Sequence, residues 1–103
     1  MKTINFKNYI INFNDADGYI PNIIKETNEF YDIGNLNIMK EYLNSDSNVL
    51  DIGANIGNHS IFFSQFAKMV YSFEPQIENF NCLEKNIIVN NIKNVQIMHT
   101  SLK

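Results

Sequence analysis

Val49-Leu50-Asp51-Ile52-Gly53-Ala54-Asn55-Ile56-Gly57 is the stretch on which the reading of this chain turns. Its first four residues form a short apolar run around one acid, bounded by Ser45-Asp46-Ser47 before it and Gly53 after it. That is the pattern of a strand buried on both faces of a parallel sheet. Helical spacing follows from Ile56 to Phe66 through Ile61, Phe62 and Phe66. Met69 to Phe73 reads as a second strand, and Val95 to Met98 as a third. Between them, Gln76 to Asn90 reads as a helix with Ile77, Phe80, Leu83, Ile87 and Ile88 turned inward. Strand, helix, strand, helix, strand within about 50 residues is a βαβαβ unit. Right-handed crossovers order its parallel strands 3-2-1. The predicted class is therefore α/β: a three-layer half-sheet, the mononucleotide-binding half of a doubly wound fold.

Upstream, apolar alternation from Thr3 to Phe13 around Lys7-Asn8 predicts a small hairpin. Asn14-Asp15-Ala16-Asp17-Gly18 reads as a turn, since a calcium loop would need acidic ligands beyond Asp15 and Asp17. Pro21 suits a first helical turn, and Ile23, Ile24, Thr27 and Phe30 extend an amphipathic helix that Gly34 is expected to stop. A second lead-in helix is predicted from Leu36 to Leu43, with Leu36, Met39, Tyr42 and Leu43 on one face. Residues 1–46 thus form a hairpin with lead-in helices, and 47–103 the βαβαβ half, within a single domain.

A length of 103 residues leaves room for one core, and 45% hydrophobic with 18% charged residues is ordinary for a folded domain. The net charge is −3 and every basic residue is Lys, so bidentate Arg readout of bases is absent and nucleic acid is not expected as a partner. The lone Cys82 leaves no intramolecular disulfide and fits a reducing compartment. No apolar run is long enough to span a membrane and no secretory h-region opens the chain, so the expected setting is cytoplasmic, without membrane contact. Asparagine, at 18 residues, is spread throughout and reads as compositional bias rather than a low-complexity segment.

Ligands of such sheets bind beyond the carboxyl ends of the strands, which directs attention to Asp51, Gly53, Ala54, Asn55, Gly57, Glu74 and Pro75. Gly53 and Gly57 permit a tight turn and close backbone approach, and the helix that follows would offer N–H groups to an anionic group. Glu74, about 20 residues on, is placed to accept hydrogen bonds from both hydroxyls of a ribose. A Rossmann dinucleotide turn would carry three glycines, but two of those positions are Asn55 and Asn58. Asp51 is a poor neighbour for pyrophosphate and a good one for an ammonium or sulfonium. The residues thus favour S-adenosylmethionine over NAD.

Val49 to Ser60, Val70-Tyr71-Ser72-Phe73-Glu74-Pro75 and the helix from Asn79-Phe80 to Asn90-Asn91 closely resemble the FkbM-type family of S-adenosylmethionine-dependent methyltransferases. The similarity continues upstream through Asn8-Tyr9 to Phe13, Asp17 to Tyr19, and Phe30-Tyr31. Where many members carry Tyr-Glu, this chain has Tyr31-Asp32. The resemblance implies a Rossmann-like class I fold. Asp51, Gly53, Ala54, Asn55 and Gly57 would surround the methionine part of the cofactor, and Glu74, followed by Pro75, would hold the ribose. It also implies O-methylation of a small-molecule or glycan hydroxyl, in a sugar or natural product, by in-line attack on the sulfonium methyl. The catalytic base is not identified. Of the remaining polar groups, His59 reads as a cofactor neighbour at most, His99 as an exposed strand terminus, Asn58 and Ser60 as helix-start hydrogen-bonders, and Cys82 as packing.

At roughly 30 residues per strand-helix repeat, a complete fold of that kind needs about 200 residues, so the expectation is an N-terminal portion. The first strand of the sheet would then present an open edge and open apolar faces, inviting self-association or a complementing C-terminal chain. Two other readings remain: a non-catalytic cofactor-binding or interaction module, and an NAD or nucleotide half-domain.

Overall fold

A computed structural model describes residues 1–14 and 18–100 of the chain, so the turn through Asp15 and Asp17 lies outside the described residues. The elements run β1 (Lys2–Phe6), β2 (Tyr9–Phe13), α1 (Tyr19–Thr27), α2 (Ile33–Lys40), β3 (Asn48–Ile52), α3 (Asn58–Ser64), β4 (Met69–Phe73), α4 (Ile77–Val89) and β5 (Val95–Met98). β1 and β2 form the expected antiparallel hairpin, and β3, β4 and β5 lie side by side as a parallel sheet with β4 in the centre.

Side chains alternate across that sheet. Val49, Asp51, Val70 and Ser72 share one face, where Val70 and Ser72 are fully buried. α3 lies on this face, since Ser60 reaches both Asp51 and Ser72. α4 joins it, with Leu83 and Ile87 in the same core as Val70. The hairpin and α1 form a third layer beyond α4. Burial of β3 on both faces does not hold: Leu50 and Ile52, on the opposite face, are 60% and 61% exposed. Two right-handed crossovers taken in the same direction put both helices on one side, so among the described residues the other side carries none and β3 is an edge strand. Among the described residues no helix is long and apolar enough to cross a membrane.

The lead-in helices differ from expectation at their boundaries. α1 is stopped by Asn28, which adopts a left-handed conformation (φ 55°) and donates its N–H to the Ile24 carbonyl at 2.8 Å. Asparagine supplies here the C-terminal cap usually made by glycine, and Gly34 instead lies inside α2. Phe30 sits in the connection and is buried edge-on between Phe6 and Phe62, at ring separations of 5.0 and 5.4 Å. α2 begins three residues earlier than predicted. Of the four residues assigned to its inner face, Leu36 is buried, whereas Tyr42 is 84% exposed.

α4 is rotated from its predicted orientation. Ile88 and Ile77 are exposed, and the inward stripe is Cys82, Leu83, Asn86 and Ile87. The reason is a second partner, β2. Asn86 Oδ1 accepts the N–H of Asn12 at 2.6 Å, and its Nδ2 donates to the Asn12 carbonyl at 3.0 Å. One turn on, Asn90 does the same for Ile10, at 2.8 and 2.7 Å. Residues i and i+4 of a helix are spaced much like i and i+2 of a strand, so two side-chain amides pair the outer edge of β2 as a neighbouring strand would. Asn86 Nδ2 also donates to Ile56 O at 2.7 Å, tying the hairpin to the turn after β3. Asparagine is therefore a fastener in this fold, which compositional bias alone did not anticipate.

Candidate functional site

β3 and β4 end side by side at Ile52 and Phe73, and the chain reverses at once. The N–H groups of Gly53 and Ala54 both donate to Phe73 O, at 2.8 and 2.9 Å. Gly53 has φ 75°, and a Cβ added there would meet no atom within 4 Å, so this turn opens onto free space. Gly57 (φ 104°) is different: an added Cβ would come within 2.9 Å of Leu83 Cδ1. Its lack of a side chain admits α4 rather than a ligand. Residues 56–58 are buried and the Gly57 N–H donates to Ala54 O at 3.0 Å, so the turn, not the start of α3, faces outward.

A cleft of about 230 Å³ lies over this turn, and Asp51, Gly53, Ala54 and Asn55 all line it. Glu74 and Pro75 do not. Glu74 is buried behind the turn, its Oε1 accepting the Asn55 N–H at 2.7 Å and its Oε2 the Gln76 N–H at 2.9 Å. One carboxylate thus fastens the loops that leave β3 and β4. Pro75 is exposed, and its carbonyl lies 3.0 Å from His99 Nε2.

The remaining walls include Ile20, Asn58 and His59. Asn58 clamps the chain at Tyr31, accepting its N–H and donating to its carbonyl, both at 2.9 Å, with a further contact of 3.0 Å to His59 Nδ1. It is not a simple helix-start cap. Its position right after Gly57 was the available signal, whereas Ile20 arrives from α1 by tertiary packing. Asp32 accepts from Asn35 at 2.9 Å and lies 3.7 Å from His59 Nε2. A larger hollow of about 470 Å³, between β1 and α1 and lined by Lys2, Phe13 and Lys25 among others, shares no lining residue with this cleft.

Burial pushes the Asp51 carboxyl above the usual carboxylate range, and the charge of Glu74 adds to this, while the Ser60 hydroxyl and His59 oppose it. Ser60 donates to Asp51 Oδ2 at 2.5 Å, which leaves its oxygen to accept from Ser72, also at 2.5 Å. Between the ordinary and the raised pKa the folded chain holds a proton that the unfolded chain lacks, so stability falls as pH rises through that window. Asp51→Asn is expected to flatten this dependence and to be no less stable than the parent at pH 7. Urea midpoints measured from pH 4 to 7 check both.

No protein-family model matches the chain, and no curated protein matches it. Solved structures do. M. jannaschii TYW2, solved in complex with AdoMet, matches with a TM-score of 0.72 and 20% identity over 95% of this chain and 42% of its own. SMU.1697c from Streptococcus mutans, described as a methyltransferase and solved with SAH, matches with 0.64 and 28% over 67% and 39%. An rRNA methylase from Streptococcus thermophilus matches with 0.63 and 22% over 66% and 41%. This chain spans less than half the length of each. The last of these corrects the expectation of no nucleic-acid partner: the same fold serves an rRNA methylase, and a net charge of −3 over a segment matching 41% of such a protein does not bound the charge of the whole. The chain has the Rossmann-like α/β fold that these methyltransferases share.

Proposed function

We propose that this chain forms the S-adenosylmethionine-binding part of a methyltransferase. One juxtaposition carries the reading: the open turn at Gly53 faces a cleft at the ends of parallel strands, with Asp51 inside it and Glu74 pinned behind Asn55. The donor set fits the ligand. Asp51 favours a cationic ammonium or sulfonium and the backbone at Gly53 and Ala54 permits close approach, while the ribose role of Glu74, buried behind the turn with both oxygens engaged by N–H groups, is supported by the FkbM-type resemblance and by its remaining lone pairs. Gly57 makes room for α4 behind the turn, and the exposed Pro75 follows Glu74 out of β4. A pyrophosphate would instead place negative charge against two carboxylates. When bound, S-adenosylmethionine supplies an activated methyl group, and the protein supplies position and water exclusion.

At about 230 Å³ the cleft is smaller than the ~300–1,000 Å³ usual for small-molecule sites. Enclosure of the cofactor therefore calls for further walls, and the bare side of β3 is where they would attach. The same observation supports the second reading, a module that binds the cofactor without turnover. For the acceptor we favour O-methylation of a sugar or natural-product hydroxyl, supported by the FkbM-type resemblance. Titration calorimetry with S-adenosylmethionine, S-adenosylhomocysteine and NAD tests the core of the proposal. The first two are expected to bind at about micromolar Kd and NAD not at all; a folded chain that binds neither of the first two overturns it. Assays of the bound protein with glycan and RNA acceptors then separate the acceptor classes.

A further inference from the structure

Ser60 and Ser72 are fully buried hydroxyls from different elements, α3 and β4, and they meet at 2.5 Å. Ser60 in turn donates to Asp51 Oδ2, also at 2.5 Å. A hydroxyl has one proton, so the bond to Asp51 commits Ser60 and makes Ser72 the donor to it. That direction is not the local one. Helical serines readily return the hydroxyl to a carbonyl of the preceding turn, as Ser64 does to Ile61 O at 2.6 Å. Ser60 turns instead toward the sheet, and the carbonyl one turn before it, Ile56 O, accepts the Asn86 amide. Asp51 and Ser72 are register partners on β3 and β4, so the hydrogen-bonded chain leaves one strand, passes through the helix and returns to the neighbouring strand.

We propose that Ser60 and Ser72 are positioning residues, a two-hydroxyl chain that keeps Asp51 charged and fixed in its aim for a cation in the cleft. The inference rests on the cofactor reading above and deepens it by assigning the support of its cation-facing acid. Asp51 lines the cleft, and among the described residues Ser60 is the only side chain that hydrogen-bonds it. Burial works against its charge, and so does Glu74 from the end of β4; the Ser60 hydroxyl and N–H, with His59 of α3, work for it. Of these, the hydroxyl alone is reinforced. Donation from Ser72 polarises the Ser60 O–H and holds it in place. His59 is instead shared with Asn58 and Asp32. Neutral donors suit a cation site, because they favour the carboxylate without adding a positive charge that would repel the ligand.

Ser60→Ala removes the donor, Ser72→Ala its reinforcement, and Ser60→Thr keeps the hydroxyl. In the ligand-free chain the Asp51 carboxyl, followed by carbon-detected NMR against pH, is expected to titrate at higher pH in Ser60→Ala, to be displaced less in Ser72→Ala and to stay at the parental midpoint in Ser60→Thr. An unmoved midpoint in folded Ser60→Ala overturns the inference, and one unmoved in Ser72→Ala overturns the two-hydroxyl chain; the second variant also carries the test if the first does not fold. The affinity of Ser60→Ala for S-adenosylhomocysteine is expected to fall roughly five- to tenfold at pH 6 and less at pH 8, where the higher pH restores the charge. Affinity for 5′-methylthioadenosine, which keeps the ribose and lacks the ammonium, is expected to change by less than about twofold. Equal losses for both ligands, or a loss independent of pH, mark a packing defect and count against the proposal. A parent chain that binds neither ligand defeats the cofactor reading, while the carboxyl titration, which needs no ligand, still decides the hydroxyl chain.

Discussion

Asn86→Ala is expected to lower the unfolding free energy by about 3–5 kcal/mol, a large part of the ~5–15 kcal/mol that holds a small domain folded. The substitution removes one fully buried amide and strands the groups it served: the main-chain N–H and C=O of Asn12, the Asn12 side chain, and Ile56 O. Asn12 is itself buried, and water cannot enter that core without cost. The same change at Asn90, in a half-exposed setting, should cost about 1–2 kcal/mol. Urea unfolding followed by circular dichroism measures both, with a midpoint shift for Asn86→Ala on the order of 1–3 M. Equal effects at the two sites would refute the view that the ladder is anchored at Asn86.

Glu74→Ala is expected to weaken S-adenosylhomocysteine binding at least about thirtyfold, through the loss of charge-assisted hydrogen bonds to the ribose. Stability should fall far less, by about 1–2 kcal/mol. Of the two N–H groups set free, that of exposed Gln76 can turn to water, leaving only Asn55 poorly matched. The ratio of the two effects is the informative quantity. Titration calorimetry on a variant shown to be folded gives the first and urea unfolding the second. A folded Glu74→Ala protein with parental affinity would remove Glu74 from the ribose site.

The sheet was legible in the sequence because parallel strands announce themselves by short apolar runs separated by helical spacing, and all three lie where the pattern puts them. The turn after β3 was legible for a chemical reason, since Gly53 and Asn55 are residues that accept positive φ. What escaped was whatever depended on distant partners. Asn86 and Asn90 count as polar and were not among the residues assigned inward, and the strand they face comes from the other end of the chain. Ile88 counts as apolar and was assigned inward, although it is 69% exposed. Gly34 was taken as a helix stop when Asn28 had already served. Asp51, Gly53, Ala54 and Asn55, which follow one another along the turn, line the cleft, while Ile20 was not anticipated there, because no local pattern links α1 to Asp51.

The asparagine ladder also sets an order of events. Asn12 and Asn86 are 74 positions apart and Ile10 and Asn90 are 80 apart. Closing so long a loop is entropically costly and kinetically late. During synthesis the hairpin emerges before α4 and must wait, its outer edge unpaired, until α4 has left the ribosome. Its own ten-residue pairing forms early by comparison, within microseconds. The nascent chain is therefore most vulnerable to aggregation between those two moments, and the last fastening step is the one that docks the hairpin onto the sheet-bearing half.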